Sequence, residues 1–241
     1  MAGSGVAAVE RALTILAAFE HDGEAEPLTL AALARRTGFY KSTLLRLMVS
    51  LQAFGYIVQR ADGRYQLGPA PFRLGAIYQR ANRLSDRVLP VLRDLATRGT
   101  ESPSFHVRHD AETRLCVFRV DSQHSTLDRV SAGALLPLDR GAPGTVILAF
   151  DDGRDGDKFD TVRNSLTAVS YGERDPDCAA IASPVFGADQ RLIGALSVSG
   201  PKLRFTPDNV ALMSRHVREA ATTITRALGG RELPSGIRVA R

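Results

Sequence analysis

Apolar residues in the first hundred positions recur at helical intervals. In residues 9–20, VERALTILAAFE, Val9, Ala12, Leu13 and Leu16 share one stripe, the period of an amphipathic helix. The polar, turn-rich HDGEAEP follows and reads as a loop. Thr29 then precedes LAALARRTG. A hydroxyl there is an N-cap, Leu30, Leu33 and Ala34 form the buried face, and Gly38 is the stop. In TGFYKSTLLRLMVSLQAFGYI, Leu44, Leu47, Met48 and Leu51 fall at i, i+3, i+4 and i+7, a second buried stripe. Ser42, Thr43, Arg46 and Ser50 take the opposite arc. YIVQRADGRYQLG alternates about Asp62-Gly63, the signal of a hairpin with a two-residue turn. Residues 69–98 are helical on both sides of a weak break, with Pro90 in the later part. Phe72 to Leu84 read as a linker helix, and Ser85 to Thr97 bury Val88, Leu92 and Leu95 to open a second domain.

From Ser102 the period drops toward two. SFHVRHD, RLCVFRV and STLDRV read as short strands, and GTVILAF as a short helix. CAAIASPVFGADQRLIGALSVSG reads as two apolar strands around a turn from Gly187 to Gln190. Thr206-Pro207 starts a closing helix that turns Val210, Met213, Val217, Ala220, Ala221 and Ile224 inward. The fold class is α+β. The divisions are a winged helix-turn-helix at 8–68, a linker helix at 69–84, a sensor-like domain at 85–229 and a flexible tail at 230–241.

Composition narrows the function. The chain has 241 residues, 44% hydrophobic and 24% charged, enough to bury a core in each of two domains. No apolar run is long enough for a membrane span, the N-terminus lacks a signal-peptide pattern, and Cys116 and Cys178 form no CxxC. We therefore expect a cytoplasmic protein with no membrane partner. The net charge of +5 is uneven: residues 1–83 hold ten Lys and Arg against six Asp and Glu, while the remainder holds 21 against 20. Positive charge gathered in one small segment fits a polyanion.

That charge gives the polar arc its meaning. Short side chains at Ser42, Thr43 and Ser50 let a helix lie close in a major groove, where Arg46 reaches a base edge or phosphate. Lys41 lies off the arc and suits the DNA backbone, as do Arg60 and Arg64 beside the hairpin tip. An enzyme is the competing class, but the chain has no GxSxG, HExxH, P-loop or strand-borne GxGxxG. His106 and His109 have opposite strand parity and make a poor metal pair. DDGRDGD resembles a calcium loop in composition only and reads as an exposed loop. Neither a metal nor a cofactor is expected.

Over residues 8 to 229 the chain resembles the IclR family of bacterial transcriptional regulators. The resemblance is carried by VERALTILAAF, LTLAALARRTGFYKSTLLRLMVSLQAFGYI, YQLGPAPFRLG, LPLDRGAPGTVILAF, YGERDPDCAAIASPVFGADQRLIGALSVSGP and the closing helix, in this order. It implies a winged helix-turn-helix, a linker helix and a C-terminal GAF-like effector-binding domain. It also implies a homodimer or dimer of dimers on a double-stranded DNA operator, and a small organic-acid or aromatic effector. By motif, the effector cleft is lined by Ala142, Pro143, Ser170, Ala180, Ser197 and Ser199. Residues 141–144 are expected to offer amides to a carboxylate at the start of a helix 145–150, and Ser197 and Ser199 share strand parity. Ile15 and Phe19 of the first helix, with Ile77 and Leu84 of the linker, are the expected dimer contacts. Three features depart from the family pattern: Thr145 follows Gly144 where Lys is usual, Tyr40 replaces a smaller residue, and segment 151–161 is short. The alternatives are a winged-helix regulator of another family, or a sensory GAF-like module without an effector response.

Overall fold

The structure is a computed structural model describing residues 5–19, 26–82 and 84–231. Most of HDGEAEP, the tail beyond Arg231 and Arg83 lie outside the described residues. The chain divides into two units, residues 1–82 and 83–241.

The first unit contains α1 (Ala7–Ala17), α2 (Leu30–Thr37), α3 (Lys41–Ala53), β1 (Ile57–Gln59), β2 (Tyr65–Leu67) and α4 (Pro69–Asn82). The ends of α2 match the sequence reading. Thr29 Oγ1 accepts from the Ala32 amide at 3.1 Å, and Gly38 stops the helix at φ 71°, a left-handed conformation that costs glycine little. Ile15, Leu28, Leu33, Leu44, Met48, Leu51, Ile57 and Tyr65 form one core. Each large aliphatic side chain buried there contributes about 1.5–3 kcal/mol. β1 and β2 are antiparallel, and Leu28 exchanges backbone bonds with Tyr65 on the other side.

Two readings in this unit need correction. The hairpin loop has three residues, because the Arg60 amide bonds to the Arg64 carbonyl and Ala61, Asp62 and Gly63 lie between. The buried face of α1 centres on Ile15, with Ala12, Leu16 and Phe19 against the same core, while Val9 and Leu13 are 54% and 58% exposed. Only Glu10, Arg11 and Thr14 are polar between residues 7 and 19, so spacing alone could not choose between two apolar stripes. Ile15, fully buried, is therefore intradomain core and not a dimer contact, while Phe19 packs half-buried against the same core.

The second unit contains α5 (Leu84–Thr97), β3 (Ser102–Arg108), β4 (Thr113–Arg119), β5 (Leu135–Pro137), α6 (Ala142–Phe150), α7 (Asp157–Ser165), β6 (Ala168–Tyr171), β7 (Cys178–Phe186), β8 (Leu192–Pro201) and α8 (Pro207–Ala227). The strands form one antiparallel sheet in the order β5-β4-β3-β8-β7-β6. Alternation along each strand gives two cores. Ile181, Leu196 and Val198 pack with Val88, Leu92 and Leu95 of α5 and Met213, Val217 and Ile224 of α8. Ala182 and Ala195 pack with Val146, Ile147 and Phe150 of α6. Leu84 belongs to the α5 core, whereas Ile77 is 53% exposed on α4, so the two do not share a linker face.

STLDRV forms no strand. Its alternation is overridden by Asp128, whose carboxylate is buried among charged and hydroxyl partners instead of leaving an apolar face. The helix expected at 145–150 starts at Ala142, with Pro143 in its first turn, a place that needs no amide hydrogen. Segment 151–161 is not wholly loop, since α7 begins at Asp157 with acidic residues in its first turn.

Candidate functional site

Helix α3 turns one side inward and leaves the other unspent. Leu44, Met48 and Leu51 are buried; Lys41, Ser42, Arg46 and Ser50 are exposed, and Thr43 is half-buried. Tyr40, at the N-cap, supplies no side-chain hydrogen bond, so the first-turn amides are open to an anion. Arg46 and Lys41 make no hydrogen bond or ion pair among the described residues. Beside the polar arc, Tyr40 also lies exposed, as do two apolar side chains that the sequence reading missed, Leu45 and Val49. At the wing, Arg60 and Arg64 are half-exposed and flank Asp62 at 3.9 and 4.0 Å. Four cations against one carboxylate give this surface a positive field.

The second unit holds a narrow cleft of about 30 Å³ beside the start of α6. Strand register builds it. Ser170 on β6 pairs with Ala180 on β7, Ala180 with Ser199 on β8, and Ser199 with Ser102 on β3. In the next row Ala182 pairs with Ser197, and Ser197 with Ser104. The small residues make a trough on the face that α6 covers. Pro143, Ser170, Ala180, Ser197 and Ser199 line the cleft as expected. Ala142 does not; it is fully buried in the α6 core.

His106, Arg114, Glu173 and Arg174 also line the cleft, and the sequence reading missed them. The signal was present: Ser102, Ser104 and His106 are polar at a period of two, placing a polar row on one face of β3. His106 pairs with Cys116, and Arg114 with Arg108 two positions along, so His106 and Arg114 lie on the same face. His106 Nε2 lies 2.9 Å from Ser104 Oγ, which lies 3.1 Å from Ser197 Oγ. Burial first, then the positive charges of Arg114, Arg119 and Arg174, hold the imidazole well below its ordinary value. The Arg114 guanidinium donates to the Pro137 carbonyl and, at 2.8 Å, to the Arg140 carbonyl. Burial and neighbouring Arg174 lower it to about 10.

The remaining polar groups of the cleft bind one another. The Gly141 amide donates to Glu173 Oε2 at 2.7 Å and the Ala142 amide to Ser170 Oγ at 2.8 Å. Two of the loop amides expected to be free, those of Gly141 and Ala142, are thus taken by the protein's own side chains. Ser199 Oγ donates to Asp128 Oδ2 at 2.6 Å, and Arg119 approaches the same carboxylate at 2.5 Å. The cysteines are poor nucleophiles, since burial pushes Cys116 up to about 12 and Cys178 up to about 11.

Comparison with known proteins gives matches in both units. The sequence pattern of the IclR helix-turn-helix domain matches residues 8–61, and that of the bacterial transcriptional regulator IclR C-terminal region matches residues 156–226. The chain is 30% identical to the Glycerol operon regulatory protein of Streptomyces griseus, covering 93% of this chain and 97% of that protein. Its fold superposes on an IclR transcriptional regulator of Silicibacter sp. with TM-score 0.76 and 26% identity, over 96% of this chain and 100% of the other. An IclR homolog of Microbacterium hydrocarbonoxydans, complexed with 4-hydroxybenzoate, superposes with TM-score 0.78 at 19% identity, over 92% and 99% of the two chains.

Proposed function

The chain belongs to the IclR family of bacterial transcriptional regulators, DNA-binding proteins and not enzymes, and on that premise we propose how it reads and releases DNA. The exposed side of α3 enters the major groove. Arg46 reads a base edge, while Ser42, Thr43 and Ser50 keep the helix close to the groove floor. Lys41 and the first-turn amides hold one phosphate, and Arg60 and Arg64 of the wing hold others. A small effector enters the α6 cleft and shifts operator affinity by favouring one arrangement of the reading heads, with a coupling of about 1–3 kcal/mol typical of such systems. The protein works in the cytoplasm, where bacterial DNA lies.

A single recognition helix reads only a few base pairs, so useful specificity calls for a dimer on two half-sites. Val6 at the N-cap of α1, Val9 and Leu13 on it, and Phe72, Leu74 and Ile77 on α4 are more than half exposed, and they supply the apolar surface such a dimer would cover. The observation that carries the DNA reading is the unspent outer side of α3, with Arg46 and Lys41 unpartnered among the described residues and no side-chain cap at the helix start.

The test begins by selecting a binding duplex from random-sequence DNA. On that duplex, Arg46→Ala is expected to lose about 1–3 kcal/mol and to relax preference at one base pair. Arg64→Ala is expected to weaken all duplexes alike and to reduce the salt slope by about one unit. Unchanged affinity in Arg46→Ala would remove α3 from the groove.

A further inference from the structure

Hydrogen-bond accounting in the cleft separates spent groups from unspent ones. The Gly141 and Ala142 amides are taken by Glu173 and Ser170, Ser199 is taken by Asp128, and Ser197 by Ser104. Among the described residues, two buried nitrogens of lining side chains find no partner: His106 Nδ1 and Arg114 Nε. Buried polar atoms in native proteins nearly always have partners, and orphans at a cleft mark a place where a ligand supplies them.

Charge points the same way. Arg114 is among the largest fully buried side chains and makes no ion pair among the described residues. It is held by two backbone carbonyls, which orient its guanidinium without neutralising it. The nearby carboxylates are committed elsewhere. Asp128 faces Arg119 and, at 3.6 Å, Arg174. Glu173 caps the Gly141 amide and meets Lys158 at 3.3 Å. Asp175 accepts from the Asp177 amide. Asp139 acts on Arg114 from beyond ion-pair distance. A buried cation without a counter-charge costs stability, and an anion entering the cleft relieves it.

We propose that His106 and Arg114 form the seat for the carboxylate of a small acid, with Arg114 Nε–H donating to one oxygen and His106 Nδ1–H to the other. In this arrangement the neutral imidazole carries its proton on Nδ1, and Nε2 accepts from the Ser104 hydroxyl. The remainder of the acid lies against Val130, Leu136, Pro143 and Ala180. This rests on the effector reading above and narrows it in two ways. The ligand is defined by its negative charge more than by any ring. The charge is read at the sheet floor, because the Gly141 and Ala142 amides at the start of α6 are already occupied. Arg114 and His106 are thus the specificity-determining residues of the cleft.

The test uses the full-length protein at pH 7 and four acids, 4-hydroxybenzoate, benzoate, lactate and succinate, each paired with its neutral amide at 10 mM. Melting temperature and calorimetric titration are the readouts. At least one acid is expected to raise the melting temperature while its amide does not. Arg114→Gln and His106→Gln are each expected to weaken that acid at least tenfold, and Arg114→Lys to recover part of the loss. If Arg114→Gln fails to fold, His106→Gln decides, because its amide can take the place of Nε2 beside Ser104 while leaving no donor at the Nδ1 position. An amide binding as tightly as its acid, an affinity unmoved by both substitutions, or no acid binding at 10 mM overturns the proposal. None of these outcomes touches the DNA reading, which stands or falls on the selected duplex without any acid present.

Discussion

The outer side of α3 and the trough beneath α6 are both polar surfaces built on apolar supports, yet they were legible to very different degrees. On α3, neighbours in space are neighbours in sequence at three- and four-residue spacing. One line of sequence therefore places Ser42, Arg46 and Ser50 opposite Leu44, Met48 and Leu51. In the trough, four strands from distant parts of the chain meet: Ser104, Ala182 and Ser197 share one row only because β3, β8 and β7 pair in that register. The energetic states differ as well. The polar groups of α3 face water and lose little by waiting for DNA. Those of the trough are buried, so nearly all have found partners within the protein, and the two that have not stand out.

The sharpest way to break the comparison is to remove the support of one surface and watch the other. Leu44 is fully buried at the centre of the first unit's core. Leu44→Ala is expected to cost about 2–5 kcal/mol and to abolish binding to the selected duplex near physiological temperature. Because the second unit has its own two cores, its acid-dependent melting shift is expected to survive. Two unfolding transitions in calorimetry, of which only one moves, would support this; a single transition moving as a whole would show that the units fold together.

Sequence patterns located elements where a local rule had one solution. The cap at Thr29, the stop at Gly38, the wing and the face of α8 all follow from residues within one or two turns of each other. They failed where two solutions were equally good. On α1 nearly every position is apolar, so Val9 and Leu13 looked as buried as Ile15, and only packing against Leu33 and Leu44 decides. α7 hid within an acidic run whose composition suggests a loop, although its Asp157 and Asp160 favour a helix start. In the cleft, Pro143, Ser170, Ala180, Ser197 and Ser199 came from motif resemblance. His106 and Arg114 needed the register of β3 against β4, which no single segment reveals.

The next effect is smaller and separates the two surfaces by pH. His106 is buried and held well below its ordinary value of 6.5, first by burial and then by Arg114, Arg119 and Arg174. As pH falls below 6.5 the unfolded chain takes up a proton at this position that the folded chain refuses. Folding stability then drops, at most by about 1.4 kcal/mol per pH unit from this residue. His106→Asn removes the contribution. Plotted against pH, the difference between wild type and variant is expected to be flat above pH 7.5 and to shift against the wild type below 6.5. A parallel pair of curves across that range would mean that His106 is not held neutral. A carboxylate in the cleft offsets the arginine charges, so a bound acid is expected to make the slope shallower.

The smallest effect tests the wing, where the exposed surface carries its own partial brake. Asp62 sits between Arg60 and Arg64, 3.9 and 4.0 Å from their Nε atoms, with all three side chains about half exposed. Pairs of this kind in water contribute little to stability, but the carboxylate lies where DNA phosphates are expected and opposes their approach. Its Oδ1 also accepts from the Arg64 amide at 3.1 Å, which helps shape the loop. Asn can keep that backbone bond while losing the charge. Asp62→Asn is therefore expected to leave the melting temperature almost unchanged and to tighten binding to every duplex by a few-fold at low salt. The gain should fade as salt rises, because screening acts on exposed charges within about 10 Å at 0.1 M. Equal affinity for the two proteins at low salt would place the wing away from the phosphates, and DNA recognition would then rest on α3 alone.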